Sequence, residues 1–223
     1  VQRMDAGEDY TGVQSIWVKA ADGTIHRNPV RPLLEDIDVL PLPDFDIFDF
    51  NKLLGTQIKT GVVILSRGCP YICSYCSNKK MREIYPNQKC YSRFHSPDYS
   101  IEYLLKLKAT YPEMEYLNFK DDILPWKDNW LARFTERYKK EIGLPFICNY
   151  RANHVTPEIV RMLADAGCYQ MFFGVESGND HIRNDVLNRH MSREKIKQAF
   201  EACHAVGIKT FAYNMVGLPF EDK

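Results

Sequence analysis

Three of the seven cysteines stand at Cys69, Cys73 and Cys76, in the run Gly68-Cys69-Pro70-Tyr71-Ile72-Cys73-Ser74-Tyr75-Cys76. Thiolates this close together are soft donors, suited to zinc or to iron–sulfur chemistry. A tight loop can wrap three of them around one iron–sulfur cube, and the fourth iron then has no nearby protein ligand. The alternative is a structural zinc site with Cys90 or His95 as fourth ligand. Structural zinc usually takes two C-x2-C knuckles, and the sequence has no second half. Core filling does not explain the run, because Pro70 and Ser74 break any periodic apolar face.

Further polar residues stand out beside glycines or at the ends of apolar runs. Glu176, in Gly174-Val175-Glu176-Ser177-Gly178, could grip a ribose diol; alternatively Ser177 or Asp180 caps the following helix. Asp121 and Asp122 are adjacent carboxylates that could position a substrate or complement a helix dipole. Arg151 follows another apolar run and points to the same rim.

The elements that must carry these residues alternate. Strands are predicted over 62–66, 115–119, 145–150, 169–175 and 210–216. Helices are predicted over 100–110, 126–142, from Thr156 and Pro157 to Gly167, and from Ser192 to near Gly207. This α/β pattern implies βα units on a parallel sheet, either a partial (β/α) barrel or an open doubly wound sheet. Both architectures place chemistry at the carboxyl edges of the strands, where Cys69, Asp121, Arg151, Glu176 and Gly217 fall. Ending after a fifth strand reads as a truncation of the barrel.

Residues 1–56 differ. A hairpin is predicted over 16–26 with Asp22-Gly23 as its turn. Pro29, Pro32, Pro41 and Pro43 then impose an extended connector. Its apolar residues Leu40, Leu42, Phe45, Ile47 and Phe48 imply packing against a neighbouring surface.

The 223 residues carry 29 basic and 29 acidic side chains, so neither a nucleic-acid-binding stripe nor an acidic tail is evident. Apolar stretches such as 61–65 and 171–175 are too short to span a bilayer. The polar residues 1–9 do not resemble a signal peptide. An odd cysteine count without an export signal points to a reducing cytoplasm, with Cys90, Cys148, Cys168 and Cys203 as small buried hydrophobes.

The cysteine run, following a strand within a βα series, is similar to the signature of the radical S-adenosylmethionine (SAM) superfamily. The resemblance implies a 4Fe–4S cluster on Cys69, Cys73 and Cys76, whose open iron chelates the methionine amino and carboxylate groups of SAM. An electron from a donor such as flavodoxin or ferredoxin then cleaves the sulfonium, giving a 5′-deoxyadenosyl radical that attacks an unidentified substrate. It also places Tyr75 beside the adenine, Glu176 and Ser177 near the ribose, Arg189 on the SAM carboxylate and Gly217 close to the adenine. It gives Arg151 the methionyl group or the substrate. Lys120-Asp121-Asp122 departs from the family's Gly-Gly-Glu-Pro stretch, which binds the amino group, and Asp121 is the candidate cofactor-binding residue at that place.

The connector over 31–44 resembles the bridge of family members with a cobalamin-binding domain before the radical core. That branch implies a division into 1–56, the connector and tail of such a domain, and 57–223, the radical SAM core. It brings cobalamin into consideration as a cofactor of a longer protein. Members of the branch often methylate unactivated carbons; others close rings or rearrange them. Two other readings stand beside it. One is a methylthiotransferase-like tailoring enzyme, which would need a second cysteine set; the other is a non-catalytic iron–sulfur or zinc module.

Overall fold

The computed structural model describes residues 2–47, 59–126 and 128–221. The expected boundary at 56/57, and Phe48 of the connector, lie outside the described residues. A one-turn helix α1 (Gln2–Asp5) precedes the hairpin of β1 (Trp17–Lys19) and β2 (Ile25–Arg27). β1 and β2 pair antiparallel, and Asp22 accepts the Thr24 amide in the turn.

The remaining described residues form β3 (Thr60–Val63), β4 (Ser66–Arg67), α2 (Ser77–Ile84), β5 (Arg93–Phe94), α3 (Pro97–Thr110), β6 (Tyr116–Phe119) and α4 (Asp128–Arg137). They continue through β7 (Phe146–Tyr150), α5 (Pro157–Asp165), β8 (Cys168–Glu176), α6 (Arg193–Ala205) and β9 (Lys209–Asn214). The five-stranded sheet runs β3-β6-β7-β8-β9, with every pair parallel. Strand order thus advances in one direction, as in a barrel; a doubly wound sheet reverses direction at its switch point. The architecture is a partial (β/α) barrel.

The helices begin where their capping residues stand. Ser96, Thr156 and Ser192 accept the amides of Tyr99, Ile159 and Lys195, and Pro97 and Pro157 occupy first-turn positions where a missing N–H costs nothing. The predicted 126–142 helix is not α-helical throughout. It ends in a π-turn, Tyr138–Ile142, closed by left-handed Gly143. One face of the sheet contributes Leu117, Phe119, Phe146, Cys148, Met171 and Phe173 to a single core. The helices cover that face with Cys203 and with Ile101, Leu104, Phe134 and Leu163, each of these four large side chains worth about 1.5–3 kcal/mol in burial. Residues of the other parity on the strands, including Asn149, Phe172, Phe211 and Tyr213, stay half-buried or exposed.

The connector is strapped along α3. Phe45 is buried against Tyr103 and Tyr111, and Tyr111 Oη donates to Phe45 O at 2.6 Å. Asp38 accepts the Ser96 amide and pairs with His95 Nδ1 at 2.8 Å. Ile37 is also buried, whereas Leu40 and Ile47 are exposed and Leu42 is half-buried. Packing is therefore confined to fewer side chains than the apolar composition suggested. Among the described residues, no helix is long and apolar enough to cross a membrane.

The first predicted strand, 62–66, is broken in two, and Asp121 sits at the break. Its Oδ1 accepts the Leu65 amide at 2.9 Å and the Ser66 hydroxyl, while Oδ2 is buried without a partner among the described residues. Asp121 shares strand parity with Leu117 and Phe119, so its side chain enters the protein. Its expected position facing a cofactor is corrected on that ground. Burial, outweighing these hydrogen bonds, lifts its pKa from 3.8 to about 6.

The folded chain therefore keeps this proton to a higher pH than the unfolded chain. Stability from this group is greatest below the unfolded value and falls as pH rises through about 4 to 6. Asp121→Asn keeps an acceptor for Leu65 and Ser66 but cannot ionise. Across that window its stability should rise relative to wild type by roughly 3 kcal/mol, read from urea unfolding of the metal-free chain. A parallel pH dependence in the two proteins contradicts this assignment.

Candidate active site

The cysteine loop leaves β4 through Gly68, whose φ of +74° suits glycine; a Cβ there would strike the Tyr91 carbonyl and ring. The loop is clamped to the segment after β8. Ser74 N donates to Leu187 O at 3.1 Å, Ser74 Oγ to Val186 O, and Asn188 Nδ2 to Ile72 O at 3.0 Å. Arg183, almost fully buried, braces that segment by donating to Met191 O and Ser177 O, each at 2.8 Å, and by pairing with Asp180. A guanidinium has five donors in a rigid fork, which suits it to tying several loop carbonyls together. Cys76 then opens α2, a helix the sequence patterns did not suggest.

Cys69, Cys73 and Cys76 line one cavity of about 260 Å³ together with Tyr71, Tyr75, Asn78, Asp122, Asn149, Arg151, Phe172, Gly174, Glu176, Arg189 and Tyr213. The walls come from loops that follow β4, β6, β7 and β8 and from strand residues of β7, β8 and β9. Cys73 is buried, and its Sγ accepts from Arg151 Nη1 and Arg189 Nη1, both at 3.9 Å. Cys76 Sγ accepts from Asn78 Nδ2 at 3.6 Å. Burial pushes the Cys69 thiol up to about 11, so metal must displace its proton on binding.

On the opposite wall, Tyr75 Oη donates to Glu176 Oε1 at 2.9 Å and accepts from Arg189. Arg189 also donates to Gly174 O and lies 3.5 Å from Glu176 Oε1. Burial, the leading cause, raises the Tyr75 pKa, so the phenol stays protonated and donates. Glu176 adopts φ +69° at a bulge in the β8–β9 pairing, a left-handed conformation uncommon for a non-glycine residue. Gly174 leaves room for this pair, since a Cβ there would meet Glu176 Oε1 and Arg189 Nη2 and displace their side-chain ends.

Of the residues singled out from sequence, Tyr75, Arg151, Glu176 and Arg189 converge on the three cysteines. Asp121, Ser177 and Gly217 are not among the lining residues. Ser177 Oγ accepts the Asn179 amide at 3.2 Å, and Asn179, not Ser177 or Asp180, caps the next turn through Ile182 N. Gly217 N is held by Glu221 Oε2 at 2.7 Å. Asp122, one of the two adjacent carboxylates singled out from sequence, does line the cavity, whereas Tyr71, Asn78, Asn149, Phe172 and Tyr213 were not anticipated. Strand alternation could have indicated Asn149, Phe172 and Tyr213; nothing local marked Asn78.

The proposed fourth zinc ligands lie elsewhere. His95 pairs with Asp38 and stacks on Tyr99 at 4.0 Å, and Cys90 Sγ donates to Glu35 Oε1 at 3.2 Å. Cys90 is thus tied to the connector, whereas Cys148, Cys168 and Cys203 are buried in the core as expected. Among the described residues, no three His, Cys, Asp or Glu side chains close on one ion. A cube does not need this, because each iron takes its own thiolate. The buried Arg151 Nε and Arg189 Nε have no hydrogen-bond partner among the described residues. Three thiols facing unspent guanidinium donors fit an anionic cluster and a carboxylate-bearing cosubstrate.

Comparison with known proteins agrees with this geometry. The chain is 24% identical over its whole length to an uncharacterised methyltransferase of Pyrococcus horikoshii, covering 47% of that protein. It is also 24% identical over 99% of its length to an anaerobic magnesium-protoporphyrin IX monomethyl ester cyclase of Rubrivivax gelatinosus, covering 40% of it. The chain thus spans less than half the length of these relatives. The radical SAM methyltransferase TsrM of Kitasatospora setae, solved with cobalamin and a [4Fe–4S] cluster, superposes with a TM-score of 0.73 at 15% identity. That superposition covers 99% of this chain and 44% of the other. The Radical SAM superfamily model matches residues 63–223, and the chain belongs to that superfamily, whose members use a 4Fe–4S cluster and SAM.

Proposed function

We propose that this chain is the catalytic core of an enzyme that cleaves SAM reductively and directs the resulting radical chemistry to a carbon of its substrate. The observation that carries this reading is the convergence of Cys69, Cys73 and Cys76 with buried Arg151, Arg189 and Glu176 in one cavity at the carboxyl edge of a parallel sheet. When bound there, the cluster and SAM supply one-electron scission of a carbon–sulfur bond and abstraction of a hydrogen atom.

The chain's own residues bind, orient and exclude water. Cys69, Cys73 and Cys76 are the iron ligands. Tyr75 forms the wall nearest the adenosine. Glu176, its carboxylate fixed by Tyr75 Oη, accepts from the ribose hydroxyls. Arg189 offers its guanidinium to the methionine carboxylate, and Asp122, which lines the cavity, takes the amino group in place of Asp121. Ser177 and Gly217 support the loops that carry this wall.

Methylation is the favoured outcome of the radical step. Its support is the methyltransferase relative and the fold shared with a cobalamin-bound methyltransferase. On this reading residues 1–56 are the connector and tail of a preceding cobalamin-binding domain, and residues 57–223 are the radical core. Membership in the family implies a substrate and a reductant. We assign the reductant to a flavodoxin or ferredoxin, and the compartment to the cytoplasm, where seven free thiols and an oxygen-sensitive cluster persist.

The chain reconstituted anaerobically with iron and sulfide, reduced and given SAM, should release 5′-deoxyadenosine, quantified by chromatography. Cys73→Ala should abolish this while leaving the circular dichroism spectrum intact; product from that variant would refute the assignment. Glu176→Ala should weaken SAM binding by about 1–3 kcal/mol in anaerobic equilibrium dialysis, as expected for loss of a charged hydrogen bond. Unchanged affinity would remove Glu176 from the cosubstrate site.

A further inference from the structure

Two guanidinium groups face the Cys73 sulfur, and their surroundings differ. Arg189 is partly neutralised by Glu176 Oε1 at 3.5 Å. Arg151 forms no ion pair with a carboxylate among the described residues: its side chain donates to Arg189 O and to Cys73 Sγ, and its Nε is unpaired. It is 6% exposed, so its charge is not relieved by water. A buried cation in that position is costly unless negative charge stands opposite. A cluster held by three thiolates carries such charge, and carries more once reduced.

What holds Arg151 in place is a stack of rings. Its guanidinium lies 3.7 Å from the centroid of Tyr71, a residue inside the cysteine loop itself. Tyr71 Oη is hydrogen-bonded to His154 Nε2, and the His154 ring stacks on Trp126 at 4.0 Å. Burial, and then the nearby Arg151, push the His154 pKa down to about 4, so the imidazole adds no second positive charge at neutral pH. Loop and strand end are thereby locked together, with one N–H of Arg151 aimed at one ligand sulfur.

We propose that Arg151 sets the reduction potential of the cluster by donating to the Cys73 sulfur, and that Tyr71 is a positioning residue that holds the guanidinium there. This rests on the radical SAM reading of the site. A fixed positive charge and a hydrogen bond at a ligand sulfur favour the form with the extra electron, which raises the potential. The low dielectric around a buried group strengthens the effect. Lysine would not substitute fully, because an ammonium cannot lie flat on the Tyr71 ring while its N–H reaches the sulfur.

The test is a mediated redox titration of the reconstituted chain without SAM, followed by spin resonance, with full iron and sulfide content verified for each variant. Arg151→Gln should shift the midpoint to lower potential, and Arg151→Lys should shift it by a smaller amount. Tyr71→Leu should lower it as Arg151→Gln does, whereas Tyr71→Phe, which keeps the ring, should retain the wild-type value. Resonance Raman spectra should show a shifted iron–thiolate stretch in the variants that lose potential. Fully loaded Arg151→Gln with the wild-type midpoint and weakened SAM binding would overturn the proposal and make Arg151 a cosubstrate ligand only. A wild-type chain that assembles no cluster would overturn both this proposal and the reading beneath it.

Discussion

Buried positive charge organises this site. Arg151 and Arg189 each place a nitrogen 3.9 Å from the Cys73 sulfur, and each has a buried Nε without a hydrogen-bond partner among the described residues. Desolvating two cations side by side is unfavourable, and among the described residues the carboxylate paired with either of them is that of Glu176. The remaining negative charge must come from the thiolates and what they bind. Many of the local features serve to hold these groups together. Tyr71 stacks under one guanidinium, Tyr75 bridges the other to Glu176, and Gly174 leaves room for the pair.

The fold makes such a convergence possible without long loops. Because all five strands of the main sheet run parallel, their carboxyl ends lie along one edge. Residues far apart in the chain meet there: Cys73 with Arg151, and Tyr75 with Glu176. Arg183 extends the same logic to the segment after β8, since its contacts to Ser177 O and Met191 O hold the stretch on which Ser74 docks. The cysteine loop is thus fixed from both sides before any ligand arrives.

Much of this was legible in the residues. The cysteine spacing is local, and so are the helix caps and apolar runs, which is why the βα alternation could be read directly. Residues 126–142 and 62–66 were misjudged where local pattern does not decide. The first ends in a π-turn, and the second is broken by hydrogen bonds to Asp121, a residue more than fifty positions away. Asp121 shows a different failure. It stands at the correct strand edge, yet strand parity sends its side chain to the core face, and Asp122 lines the cavity instead. Glu176 reaches the cavity from a bulge with a left-handed backbone, and a bulge cannot be read from alternation.

On the proposed reading, three thiolates leave one iron free to take the amino and carboxylate groups of SAM inside this cavity. Electron–nuclear double resonance on the reduced, reconstituted chain tests it directly, using SAM labelled with nitrogen-15 at the amino group and oxygen-17 at the carboxylate. Hyperfine coupling to both labels is expected, and it should be lost when Cys73 is replaced by Ala. A fully loaded cluster that shows coupling to neither label would contradict it.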